Sequence, residues 1–233
     1  RFQLEHLPQQ PLSMWAAARG QEQLLSMLYL YRQTGQEYLL ELAQLLRGQS
    51  YCWGEFFRAF PYPQRTHAYL NRPLFMAAKR VTLISDWTAK RLRRIRARKP
   101  PTKAQIDKSN ASRLLRVFHE THSVNLAMAL KMPALDALFG GDPAGAEASQ
   151  AGIDALTTHH GLANFVFSGD EHLNDRSPTI GAELCLVAEY LFSLEMLLAV
   201  TGEARYADLL EQVAFNAWPA TFTGDMCAHQ YVQ

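Results

Sequence analysis

From Met14 to Leu46 apolar residues recur at steps of three and four: Leu24, Met27, Leu28 and Tyr31, then Leu39, Leu42, Ala43 and Leu46. That period lines each run along one helical face. Between the runs stands Thr34-Gly35, a glycine where a helix ends in the left-handed conformation. The figure returns later in the chain. Leu186, Tyr190, Leu194 and Leu197 form a stripe, Thr201-Gly202 interrupts it, and Tyr206, Leu209, Leu210 and Val213 form the next. Segments 31–43 and 198–210 read as equivalent helical hairpins, each with an aromatic residue entering its second helix. Repeated αα-hairpins predict a toroid or solenoid of paired helices. No alternating runs bounded by hairpin turns compete with this pattern, so the expected fold class is all-α.

The middle of the chain is less regular. Residues 54–75 carry six aromatic residues and three prolines and read as a long aromatic loop. Residues 79–103 hold ten Lys or Arg against one acid, Asp86. Such a run is a solvated helix or linker, or a surface for phosphate backbone or anionic membrane; here it is an insertion or irregular segment. Helical periodicity resumes at Ser112 and runs to a stop at Pro133, and a further helix spans Ala146 to Thr158. Composition adds limits. With 233 residues, 48% hydrophobic and 19% charged, the chain can bury a sizeable core. Its formal charge of +1 gives no global preference for a polyanion. No run of about 18 consecutive apolar residues occurs, so no membrane-spanning helix is expected. Cys52, Cys185 and Cys227 are too few and too far apart for a disulfide framework.

Five of the eight histidines fall within 119–172. His119 and His122, three apart, stand on one helix face, within reach of a shared site; each is also readable as a hydrogen-bonded core histidine. Signatures of zinc proteases, α/β-hydrolases and phosphate-binding loops are absent. The densest polar stretch, 168–178, lacks helical period and lies between an apolar run and a long helix, where a rigid scaffold places binding and catalytic groups. Asp170 and Glu171 there are candidate acids or bases, or capping groups. Glu183 and Cys185 follow at the start of the next helix. Residues two apart on a regular helix point roughly 200° apart, so the pair shares a metal only if that first turn is distorted or still extended. A buried small hydrophobe is the alternative for Cys185.

Gly169-Asp170-Glu171-His172-Leu173, Pro178, Glu183-Leu184-Cys185, Ser193-Leu194-Glu195 and Thr201-Gly202 together resemble the β-L-arabinofuranosidase family of glycoside hydrolases, family 127. The likeness continues through His122-Ser123-Val124-Asn125, Ala220-Thr221-Phe222-Thr223 and Ala228-His229-Gln230-Tyr231, and covers roughly 14–60 and 117–233. It implies an (α/α)6 toroid, incomplete in this chain, and hydrolysis with retention through a zinc-bound cysteine nucleophile. By position, Glu183 and Cys185 correspond to the zinc ligands, Glu171 to the general acid/base and His122 to a histidine that contacts the sugar. The family's nucleophile falls beyond the position of Gln233, so the chain is expected to be a fragment with seven to nine helices, inactive or weak alone. Cys227 sits where relatives tend to carry an aromatic residue, so it is expected in the core. Arg19-Gly20-Gln21 replaces a Gly-His pair that many members carry. The implied partner is a carbohydrate, with zinc as cofactor; neither a membrane nor nucleic acid is the expected partner. Two other readings stay open. One is a different α/α-toroid carbohydrate enzyme, an epimerase or unsaturated uronyl hydrolase; the other is a non-enzymatic helical-repeat module.

Overall fold

The computed structural model describes residues 1–64 and 113–231. The basic run 79–103, and the part of the expected aromatic loop beyond residue 64, lie outside the described residues. Among those described, the chain is all-α, with eleven helices rather than seven to nine, several of them short. In order they are α1 (Phe2–His6), α2 (Trp15–Arg19), α3 (Gln23–Thr34), α4 (Tyr38–Gln49), α5 (Trp53–Arg58) and α6 (Arg113–Thr121). Then follow α7 (Ser123–Ala129), α8 (Met132–Ala137), α9 (Gly145–His160), α10 (Leu184–Thr201) and α11 (Ala204–Asn216).

The two hairpins read from periodicity are present. α3 ends on Gly35 at φ 64° and α10 on Gly202 at φ 70°. Each glycine N–H closes its helix at 2.8 Å, on Tyr31 O and Leu198 O respectively. A left-handed residue costs glycine nothing and an L side chain about 1–2 kcal/mol, which is why both turns fall on glycine. The stripes of the first hairpin meet in one apolar cluster with α1: Leu7, Leu24, Met27, Leu39, Leu42 and Leu46. A larger cluster joins α5, α7, α9, α10 and α11 around Trp53, Leu126, Leu130, Tyr190 and Leu194.

Three local expectations are corrected. The aromatic stretch after Cys52 begins as a helix, because Trp53 and Phe57, four apart, bury one face of α5 against α9. Gly152 makes that approach possible, since a Cβ there would stand 2.6 Å from the Phe57 ring. Pro133 does not stop a helix; it sits in the first turn of α8, where its missing N–H costs nothing. The run from Ser112 is also not continuous. It breaks at His122, whose backbone is extended (φ −68°, ψ 119°).

α10, with 18 residues and a mean hydropathy of 1.8, is long and apolar enough to cross a membrane. The test by consecutive apolar residues passed over it because Glu189 and Glu195 interrupt the run. In the fold it is a core helix, with α7, α8 and α11 packed on it.

Candidate active site at the start of the long core helix

Two short strands precede α10: β1 (Gly169–Asp170) and β2 (His172–Leu173), paired antiparallel with Asp170 opposite His172. Glu171 is the apex between them and takes a φ of 84°. A non-glycine residue there is strained and persists only where its surroundings hold it. Ser123 provides the hold: its N–H donates to Glu171 O at 2.8 Å, and its Oγ to the same oxygen at 3.3 Å. The Glu171 side chain stays exposed.

Glu183 occupies the N-cap of α10 with extended backbone (φ −76°, ψ 151°), tied to β1 by its N–H on Gly169 O at 3.2 Å. Glu183 is thus extended while α10 is helical from Leu184 onward, so Cys185 already lies within the first helical turn. Glu183 is 1% exposed. Burial raises its carboxyl above the ordinary carboxylate range, against hydrogen bonds from the Tyr231 hydroxyl and the Glu171 N–H. Its Oε2 is buried and, among the described residues, without a hydrogen-bond partner. A buried carboxylate oxygen left unsatisfied is costly, and it marks a place where a ligand would complete the site. Cys185 is exposed rather than buried, and desolvation with the nearby Glu183 charge raises its thiol.

His122, at the N-cap of α7, pairs with His172 of β2 in an isolated antiparallel bridge, and their rings stand 5.5 Å apart. His119 is not on the same helix face as His122, because α6 ends between them; both rings nevertheless meet the indole of Trp15, at 4.7 and 5.0 Å. The His122 Nδ1 accepts the Asn125 N–H at 3.4 Å, so in the neutral ring the proton sits on Nε2. Burial, helped by His172 and Arg19, pushes its pKa down to about 3. Desolvation likewise lowers His172 to about 4. Both rings are neutral at pH 7, and His122 offers a neutral Nε2–H donor.

These shifts set a pH dependence of stability. Unfolded histidine titrates near ~6.5, whereas folded His172 does so near 4. Below pH 6.5 the unfolded chain binds more protons, so stability is full above that value and falls as the pH drops towards 4. His172, being buried, contributes up to ~1.4 kcal/mol per pH unit in that window. Urea midpoints at pH 7 and pH 5 should show the loss, and His172→Gln should reduce it while leaving the share of His122, which is lowered in the same window; an unchanged slope in the variant would contradict the His172 share.

Tyr231 is the site residue that sequence reasoning left without a role. A bridge between Phe222 and His229 folds the final described segment back, and Tyr231 O accepts the Leu184 N–H at 2.8 Å. Its hydroxyl reaches Glu183, and burial with the charges of Glu183, Glu171 and Cys185 raises it to about 12. The only advance signal was its place in a shared motif. Cys227, expected in the core, is exposed in a turn where its N–H bonds Asp225 Oδ1 at 3.1 Å. A separate groove of about 580 Å³ runs between Gly161–Asn164 and Arg176–Gly181 and contains none of these side chains. Among the described residues, no three His, Cys, Asp or Glu side chains form a group able to hold a metal ion. The carboxylate of Glu183 and the thiol of Cys185 are donor types that zinc takes.

A family model described as the β-L-arabinofuranosidase GH127 catalytic domain matches residues 5–233. No curated protein and no solved structure matches the chain.

Proposed function

The chain belongs to the β-L-arabinofuranosidase GH127 catalytic-domain family of glycoside hydrolases, and from that premise we propose that the 169–185 junction is a zinc-dependent, configuration-retaining site for β-L-arabinofuranosides or related plant-type sugars. The observation that carries this reading is the Glu183 carboxylate, buried at an extended N-cap with one unsatisfied oxygen, two residues before an exposed thiol.

Each residue has a task that its surroundings suit. Glu171, exposed on a rigid strained apex, gives the departing glycosidic oxygen its proton and later takes one from water, as the acid/base carboxyl of a retaining glycosidase does. His122 donates its Nε2–H to a sugar hydroxyl. Glu183 and Cys185 would hold the zinc, which when bound keeps thiolate sulfur deprotonated near neutral pH. The Tyr231 hydroxyl orients the Glu183 carboxylate by donating to it, the kind of outer contact that fixes metal ligands. The toroid belongs to the same proposal: α3–α4 and α10–α11 are two of its hairpins.

Metal content tests the ligand assignment. The protein at its natural length should carry one zinc per chain by elemental analysis. Glu183→Gln or Cys185→Ser should bind zinc about 10- to 100-fold more weakly or worse, as loss of even an outer contact does. Full zinc occupancy in the double variant would remove both residues from the site.

A further inference from the structure

Arg19 closes α2 on the opposite side of the junction from Glu183 in sequence, yet its charge reaches four groups from separate segments: Glu22, His122, Glu183 and Cys185. The guanidinium is fixed from two directions. Its Nε donates to Asn125 Oδ1 at 2.7 Å, and Asn125, 1% exposed, is itself held by its Nδ2 on His119 O at 2.9 Å. Trp15, one helical turn earlier, lies under it, with the guanidinium carbon 4.6 Å from the ring. The same indole contacts His122 edge-on. Both Nη groups donate no hydrogen bond among the described residues.

An arginine immobilised at Nε, with its two Nη groups unspent among the described residues, presents a planar fork of donors at little entropic cost. Such a fork matches two oxygens on adjacent carbons. Glu171 and Glu183 are acids, so a neutral acceptor pair suits the site better than a second anion crowded against them. We propose that Arg19 is a substrate-binding residue that clamps the vicinal hydroxyls of a pentofuranose, O2 and O3, and thereby selects sugars carrying both. The proposal rests on the glycosidase reading above and extends it to α2.

The test uses the zinc-loaded protein at natural length with p-nitrophenyl β-L-arabinofuranoside and its 2-deoxy and 3-deoxy analogues. In the wild type, each missing hydroxyl should lower kcat/KM about tenfold or more, the scale of a hydrogen bond to a charged donor. Arg19→Lys keeps the charge over Trp15 but loses the fork. It should stay folded with a lower melting temperature, because buried Asn125 Oδ1 loses its Nε donor, and show a KM about tenfold higher on the parent sugar and little further penalty for the deoxy analogues. Arg19→Lys discriminating among the three sugars as the wild type does would overturn the proposal. So would a wild type indifferent to both deletions, which needs no variant to fold. Failure of the wild type to cleave any β-L-arabinofuranoside overturns the glycosidase reading and this proposal with it; cleavage without Arg19-dependent discrimination overturns this proposal alone.

Discussion

Glu171→Gln is expected to lower kcat/KM by about 10²- to 10⁴-fold on a β-L-arabinofuranoside whose leaving group needs a proton, such as an alkyl glycoside. On the p-nitrophenyl glycoside the loss should be much smaller, because that leaving group departs without protonation. The contrast isolates acid catalysis from any structural effect. Glutamine preserves what holds the apex, since the bonds from Ser123 end on the Glu171 carbonyl and the contact with Glu183 uses the Glu171 N–H. Melting temperature and zinc content should therefore stay at wild-type values. Equal losses on both substrates would remove Glu171 from the proton-donor role.

The second large effect concerns stability. Lys131, at the join of α7 and α8, is 0% exposed. Its Nζ pairs with Glu22 Oε1 at 2.6 Å and Glu189 Oε2 at 3.7 Å, and donates to Met128 O at 3.1 Å. Ser193 and the Phe192 ring complete its surroundings. This cation ties the turn after α2 to the core helix α10, behind Arg19 and Cys185. Lys131→Met leaves two carboxylates facing each other, with only the charge of Arg19 still acting on Glu22. Breaking a buried pair costs about 3–5 kcal/mol. The low end is expected here, because Glu22 and Glu189 keep 23% and 30% of their side-chain surface exposed. Urea unfolding should show it, and the triple change Lys131→Met, Glu22→Gln, Glu189→Gln should recover most of the loss. A single variant within about 1 kcal/mol of wild type, the worth of a surface ion pair, would show that the cluster carries no such weight.

Lys131 also shows where reading the sequence ends. In the sequence it is one more lysine at the end of an apolar helix, and nothing local marks it as buried between acids 109 residues before it and 58 after it in the chain. The hairpins were legible because their information is local: a 3.6-residue stripe and a glycine at the one position where φ must be positive. The break at His122 was not, because Ser112–Leu130 keeps helical spacing while the pairing of His122 with His172 imposes an extended residue. Pro133 was misread for a related reason, since proline ends one helix and begins another with equal ease. Glu171 and Glu183 stand out in the sequence as acids of a dense polar stretch and of the helix start after it, and the family likeness gives them roles. Their burial and strain emerged only in the fold: Glu171 gains its conformation from Ser123, some fifty residues away, and Glu183 its partner from Tyr231. Nothing local in the sequence marks Arg19, because its guanidinium is held by Asn125, far along the chain, and by Trp15.

The central claim is that the 169–185 junction hydrolyses a β-L-arabinofuranoside with retention. Proton NMR of the first-formed sugar during cleavage of p-nitrophenyl β-L-arabinofuranoside by the zinc-loaded protein at natural length tests it most directly. The account predicts β-L-arabinofuranose as the initial product, followed by slow mutarotation. No cleavage, or the α-anomer appearing first, would contradict it.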